Sequence, residues 1–239
     1  PFSPFRDWLR LRSSRCLSLF PLFPANGALG NSPVTVLALG ELGGSASIGG
    51  SVSVASGGTL SPGNSIASLA AGATSFATGA TFEYEVDSTD VNVLGTAADL
   101  LVVSGNLDIA SGSLLTLTDL ASPPNPFIEG TTIFALINYS GAWNGGLFTF
   151  GSTVLADGSR FMVGSQQWEI DYNRTSAVGL DNFTSDYLPS SSFVAITAVP
   201  ESSTLVLLGI GGVLACWAAR RRRASPRTPH GVAATRRQQ

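Results

Sequence analysis

From about Val34 the chain alternates apolar and polar residues in short runs separated by turn-forming residues. Ser51-Val52-Ser53-Val54, Thr81-Phe82-Glu83-Tyr84-Glu85-Val86, Leu115-Thr116-Leu117-Thr118 and Trp168-Glu169-Ile170-Asp171-Tyr172 have a period of two. That period sends one row of side chains inward and the other to solvent, as in half-buried strands. Leu100 to Val103 and Ile133 to Ile137 are unbroken apolar runs, predicting strands covered on both faces. Ser61-Pro62-Gly63-Asn64 joins a proline-fixed φ to a glycine free to take positive φ, which predicts a type II turn. No stretch before residue 199 has helical periodicity.

A repeat lies inside this pattern. Val54-Ala55-Ser56-Gly57-Gly58-Thr59-Leu60, Phe76-Ala77-Thr78-Gly79-Ala80-Thr81-Phe82 and Ile109-Ala110-Ser111-Gly112-Ser113-Leu114-Leu115 share one form at spacings of 22 and 33 residues. Each unit ends a strand, turns on its glycine and starts the next strand. Small-residue corners at recurring spacing suit a β-solenoid, whose rungs must turn tightly and stack like residues on like. A β-sandwich is the alternative, because regularly spaced strands suit it as well.

The ordered segments Ser56-Gly57-Gly58-Thr59-Leu60-Ser61-Pro62-Gly63-Asn64-Ser65, Ala80 to Val86, Asp99 to Leu107 and Ile137 to Gly141 resemble autotransporter-associated β-strand repeat proteins over roughly residues 42–175. The resemblance implies an all-β body, a right-handed parallel β-helix, of the kind found in exported surface proteins.

The C-terminal region has a different character. Ser202 to Ala219 is a run of 18 uncharged residues, about 27 Å long as a helix at ~1.5 Å per residue, which just spans a hydrocarbon core of ~30 Å. Leu205, Val206, Leu207, Leu208, Ile210, Val213, Leu214 and Trp217 form the expected single transmembrane helix, and Arg220, Arg221, Arg222 and Arg223 its cytoplasmic anchor. Val199-Pro200-Glu201, then the apolar span, then the arginines, resemble the PEP-CTERM sorting signal, with Ser202 in place of the second proline. The resemblance implies recognition of Val199, Pro200 and Glu201 by exosortase, a membrane protease that processes such precursors for the bacterial surface. The expected organisation is an irregular segment over 1–30 that loosely imitates a signal peptide, an exported body over 34–198, the sorting signal over 199–224 and a basic cytoplasmic tail over 225–239.

Charge and chemistry narrow the function. Residues 31–200 carry 14 acids against Arg160 and Arg174, a balance of 2 − 14 = −12, whereas residues 220–239 hold seven arginines and no acid. An acidic body is a poor surface for nucleic acid, which needs basic groups to meet its phosphates. Cys16 and Cys216 lie outside the body and His230 lies in the tail. A disulfide framework, a cysteine or histidine metal site and a histidine base are therefore excluded from the body. Carboxylates remain, with Glu83, Glu85 and Asp87 expected on one outward face as a hydrated surface rather than an acid pair or Ca²⁺ site. Asn138-Tyr139-Ser140, Asn173-Arg174-Thr175 and Asn182-Phe183-Thr184 fit the glycosylation sequon by chance. The expectation is a non-catalytic structural or adhesive protein of the cell surface or matrix, without cofactor or metal, with exosortase, the membrane and extracellular polysaccharide as partners. The alternative is an anchored carbohydrate-active β-helix enzyme.

Overall fold

The computed structural model describes residues 17–19 and 23–200. Strands succeed one another in threes: β1 (Leu17–Leu19), β2 (Phe23–Pro24) and β3 (Ala28–Leu29); then β4 (Val34–Val36), β5 (Glu41–Gly44) and β6 (Ser47–Ile48). Next come β7 (Val52–Val54), β8 (Thr59–Pro62) and β9 (Ser68–Ala71), followed by β10 (Thr74–Phe76), β11 (Thr81–Val86) and β12 (Leu100–Val103). The last such set is β13 (Leu107–Ile109), β14 (Ser113–Asp119) and β15 (Ile133–Tyr139). Among the described residues five strands remain: β16 (Phe148–Phe150), β17 (Thr153–Val154), β18 (Arg160–Val163), β19 (Gln166–Arg174) and β20 (Ser192–Val199). Strands thus begin ahead of the expected start at residue 34, inside the segment read as irregular.

From β1 to β12 each strand pairs in parallel with the strand three places later, and β14 pairs in parallel with β16, so the sets stack as coils and build three sheets, β1-β4-β7-β10-β13, β2-β5-β8-β11-β14-β16 and β3-β6-β9-β12-β15. The fold is all-β with mostly parallel sheets, an arrangement compatible with a β-helix; the face-to-face antiparallel sheets of a sandwich do not describe it. The repeat seen in the sequence is the register itself, because Val54 pairs Phe76 and Phe76 pairs Ile109. A further copy precedes it: Val36 pairs Val54 and Leu42 pairs Leu60, so Val36 to Leu42 is the same corner, 18 residues earlier.

From β4 onward the corner from the first to the second sheet keeps its length from coil to coil. The corner from the second sheet to the third lengthens from Gly44–Ser47 through Pro62–Ser68 to Val86–Leu100 and keeps that length at Asp119–Ile133. In-register stacking places like on like inside: Val36, Val54, Phe76 and Ile109 in the first sheet, Leu42, Leu60, Phe82 and Leu115 in the second, Leu69, Leu101 and Ile137 in the third, all buried. Each such side chain contributes about 1.5–3 kcal/mol by leaving water. Aromatic rings fill the wider later coils, where Phe76 meets Phe82 at 5.7 Å and Phe148 at 5.6 Å between ring centres.

The apolar runs Leu100 to Val103 and Ile133 to Ile137 are covered on both faces, as predicted. One face joins the main core, and the other forms a smaller cluster in which Leu100, Val102, Ala135, Phe193 and Ala195 pack beneath Leu180, Phe183, Tyr187 and Leu188. Pro62 is the last residue of β8 rather than the interior of a turn, although Gly63 takes the expected positive φ of 88°.

Candidate functional site

In the third sheet the parallel stacking ends at β15, beyond which the sheet continues as the antiparallel strands β20, β19 and β18. Strand β20 is central, with β15 on one side and β19 on the other. On β19 the alternation sends Trp168, Ile170 and Tyr172 inward, and Trp168 packs against Phe127 at 5.5 Å and Phe134 at 6.0 Å between ring centres. These rings close that end of the core.

The end of β20 is held on several sides. Ala198 pairs Trp168 and Val199 pairs Gln167. The Ala198 N–H donates to the Thr132 carbonyl at 3.0 Å, and the Gly130 N–H donates to the Ala198 carbonyl at 2.6 Å. Ala198 is fully buried and Val199 only 8% exposed. Pro200 follows at once; it has no N–H to extend the ladder, which is the local reason the strand stops at Val199. Of the expected sorting residues, Val199 and Pro200 are therefore placed at the mouth of the cap sheet. Glu201, the expected helix over Ser202 to Ala219 with its anchor residues from Leu205 to Trp217, and Arg220 to Arg223 lie outside the described residues. No helix among the described residues is long and apolar enough to cross a membrane.

The carboxylates divide. Glu83 and Glu85 share the outer face of β11, half-buried, and with Glu41, Ser61, Gly63 and Asn64 they line one hollow. Asp87 lies beyond the strand end and lines a different hollow with Thr89, Asp90 and Val93, so the expected row of three is a row of two joined by Glu41. Burial, then the mutual repulsion of these acids, raises Glu41 and Glu85 above the usual carboxylate range. Among the described residues no three acid, His or Cys side chains converge to hold a metal ion. The two arginines of the body are engaged with carboxylates, Arg160 with Glu169 at 2.8 Å and Arg174 with Asp171 at 3.7 Å.

In the sequence Asp99 stands only at the head of a repeat-like segment and Asn182 only in a chance sequon, with no role read for either. Asp99 is fully buried at the entry to β12, where its carboxylate accepts the N–H of Ala67 at 2.9 Å and of Glu85 at 3.0 Å, tying the third sheet to the second. Burial pushes it up to about 8, assisted by the charges of Glu85 and Glu83 and opposed by the two N–H donors. Asn182 is also fully buried. Its amide accepts the Ala135 N–H at 2.8 Å and donates to the Ala135 carbonyl at 2.9 Å, to Tyr84 Oη at 3.2 Å and to the Asp99 carbonyl. Of the three sequon asparagines, Asn138 and Asn182 are buried and only Asn173 is exposed. The repeated asparagine motif carried no signal of these roles, since each bond joins segments remote in the chain.

Fold and cap together define an all-β, mostly parallel coil whose last strand, β20, ends at Val199. The chain matches the PEP-CTERM protein-sorting motif over residues 198–223, which supports a sorted substrate of exosortase. The match begins at Ala198, inside β20. No characterised protein matches the chain in sequence.

Proposed function

We propose that the chain is a structural or adhesive, non-catalytic component of the bacterial surface or extracellular matrix. Its body is a right-handed parallel β-helix of the autotransporter-associated repeat kind, delivered by exosortase processing of the signal that begins at Val199-Pro200-Glu201. Leu205 to Trp217 hold the precursor in the inner membrane, with Arg220 to Arg223 on the cytoplasmic side and the acidic body outside. The observation that carries the reading is the sorting motif over residues 198–223, joined without a spacer to a compact β body. A non-catalytic body is favoured by its chemistry. Glu83 and Glu85 share their hollow with a third acid, Glu41, and with Ser61, Gly63 and Asn64, and the body's two arginines are paired with other carboxylates. A hydrolase would need one carboxylate held as acid opposite another acting as base or nucleophile across a substrate.

Replacing Pro200 and Glu201 together by Ala, in a host that expresses exosortase, is expected to hold the full-length chain in the membrane fraction and to abolish the shorter released form. Equal released fractions for the variant and the unaltered chain would reduce the signal to a plain anchor.

A further inference from the structure

The sorting motif and the folded body share residues. Ala198 and Val199 belong to the matched motif and are also the last two residues of β20. A protease that takes its substrate as an extended chain does so by pairing with main-chain N–H and C=O groups on either side of the bond it cuts. On the upstream side those groups are in use. The Ala198 N–H and carbonyl are bound to Thr132 and Gly130, and Val199 lies in register with Gln167. The two side chains are buried at 0% and 8% exposure. On the downstream side only Pro200 and Glu201 precede the uncharged run that begins at Ser202, a reach of roughly 7 Å when fully extended.

We infer that docking of β20 into the cap sheet withholds the upstream half of the sorting motif, so that exosortase acts only on chains in which the end of this strand is undocked. This rests on the exosortase reading above. Two observations locate the control in β20 itself. The strand is central, so its end cannot be peeled away as a free edge can, and Pro200 ends the ladder immediately after Val199, leaving no spacer of free chain. Folding of the body and processing of the signal therefore compete. Processing proceeds before the cap closes, or through local opening of the last residues of β20, whose population then sets the rate.

The test is a pulse-chase of the full chain in an exosortase-positive host, following full-length and released forms. One variant carries a flexible glycine-serine segment inserted after Val199 and ending in Thr-Ala-Val, so that Pro200 follows its native upstream residues on a free chain while β20 stays docked. Its initial rate of release is expected to exceed that of the unaltered chain by about tenfold. Equal initial rates, with both chains processed and the Pro200/Glu201 double variant unprocessed, overturn the control by β20 and leave the sorting reading intact. Failure of the unaltered, inserted and double-variant chains alike to be released overturns the sorting reading, and this inference with it.

Discussion

Leu39 occupies the place that Gly57, Gly79 and Gly112 fill in the following coils. All four have positive φ, 64° for the leucine and 75°, 76° and 82° for the glycines. Their main chains form one ladder, in which Leu39 N–H donates to Gly57, Gly57 to Gly79 and Gly79 to Gly112, each at 2.8–2.9 Å. An L-residue with a side chain loses about 1–2 kcal/mol in this region, and at 80% exposure the Leu39 side chain recovers little of it by packing. Leu39→Gly is therefore expected to raise stability by about 1 kcal/mol, after allowance for the greater freedom of glycine in the unfolded chain. Gly79→Ala is expected to do the opposite and by more. Its Cβ would meet both the φ penalty and Ser56 Oγ at 2.8 Å. Denaturant midpoints of the two variants check the signs; a Leu39→Gly chain no more stable than the parent would remove the strain argument.

At the scale of elements, the segment from Leu180 to Leu188 holds the third sheet together where its strands part. Strands β12 and β15 are paired from Leu101↔Ile137 onward. Ahead of that point the Asn182 amide sits between them, bonded to Ala135 on one side and Asp99 on the other, while Asp181 accepts the Ile133 N–H at 3.1 Å. Tyr84 Oη donates to the same Ala135 carbonyl at 3.0 Å and so draws the second sheet into the junction. Removing the amide strands several buried main-chain groups, each costing about 1–3 kcal/mol when left without a partner. Asn182→Ala is expected to destabilise the body by about 3 kcal/mol or more, read as a shift of the urea midpoint. Asn173→Ala, on an exposed asparagine at φ 56° whose one side-chain bond is from Tyr139 Oη at 3.1 Å, loses that bond and the asparagine's tolerance of positive φ and is expected to cost less, about 1 kcal/mol.

Across the whole molecule the excess of acid makes stability depend on pH. Asp99 is held up at about 8 against an ordinary 3.8, and Glu41, Glu85 and Asp171 are raised as well, in each case chiefly by burial. Between those two values the folded protein keeps a proton on Asp99 that the unfolded chain has lost. Stability is then fully present below the unfolded value and declines as pH rises toward 8. The Tm of the purified chain is expected to be higher near pH 5 than near pH 8. Asp99→Asn should flatten this slope while lowering the Tm throughout, because the amide offers one acceptor to two N–H donors and turns its own NH₂ toward the other. A slope unchanged by Asp99→Asn would place the pH dependence in the surface carboxylates instead.

The sequence by itself determined whatever depends on local pattern. The period-two runs became strands, the Ala-Ser/Thr-Gly corners became the turn between the first and second sheets, and their spacings of 22 and 33 became the stacking register of Val54, Phe76 and Ile109. Parallel in-register stacking is unusually legible because it sets like residues on like, so the fold writes its repeat into the chain. The sorting motif was legible for a related reason, being a linear signal read by another protein. The copy at Val36 to Leu42 escaped notice because a leucine stands where the pattern asks for glycine, and the early strands Leu17–Leu19, Phe23–Pro24 and Ala28–Leu29 are too short to show a period. Tertiary structure alone decided that β15 is followed in its sheet by antiparallel strands, that Asn182 and Asp99 are buried ties rather than surface polar groups, and that Glu41 rather than Asp87 joins Glu83 and Glu85. It also decided that Val199 is locked in a central strand. These features join residues tens of positions apart through bonds that no local periodicity records, and their energy comes from water excluded at contacts that exist only once the coils have closed.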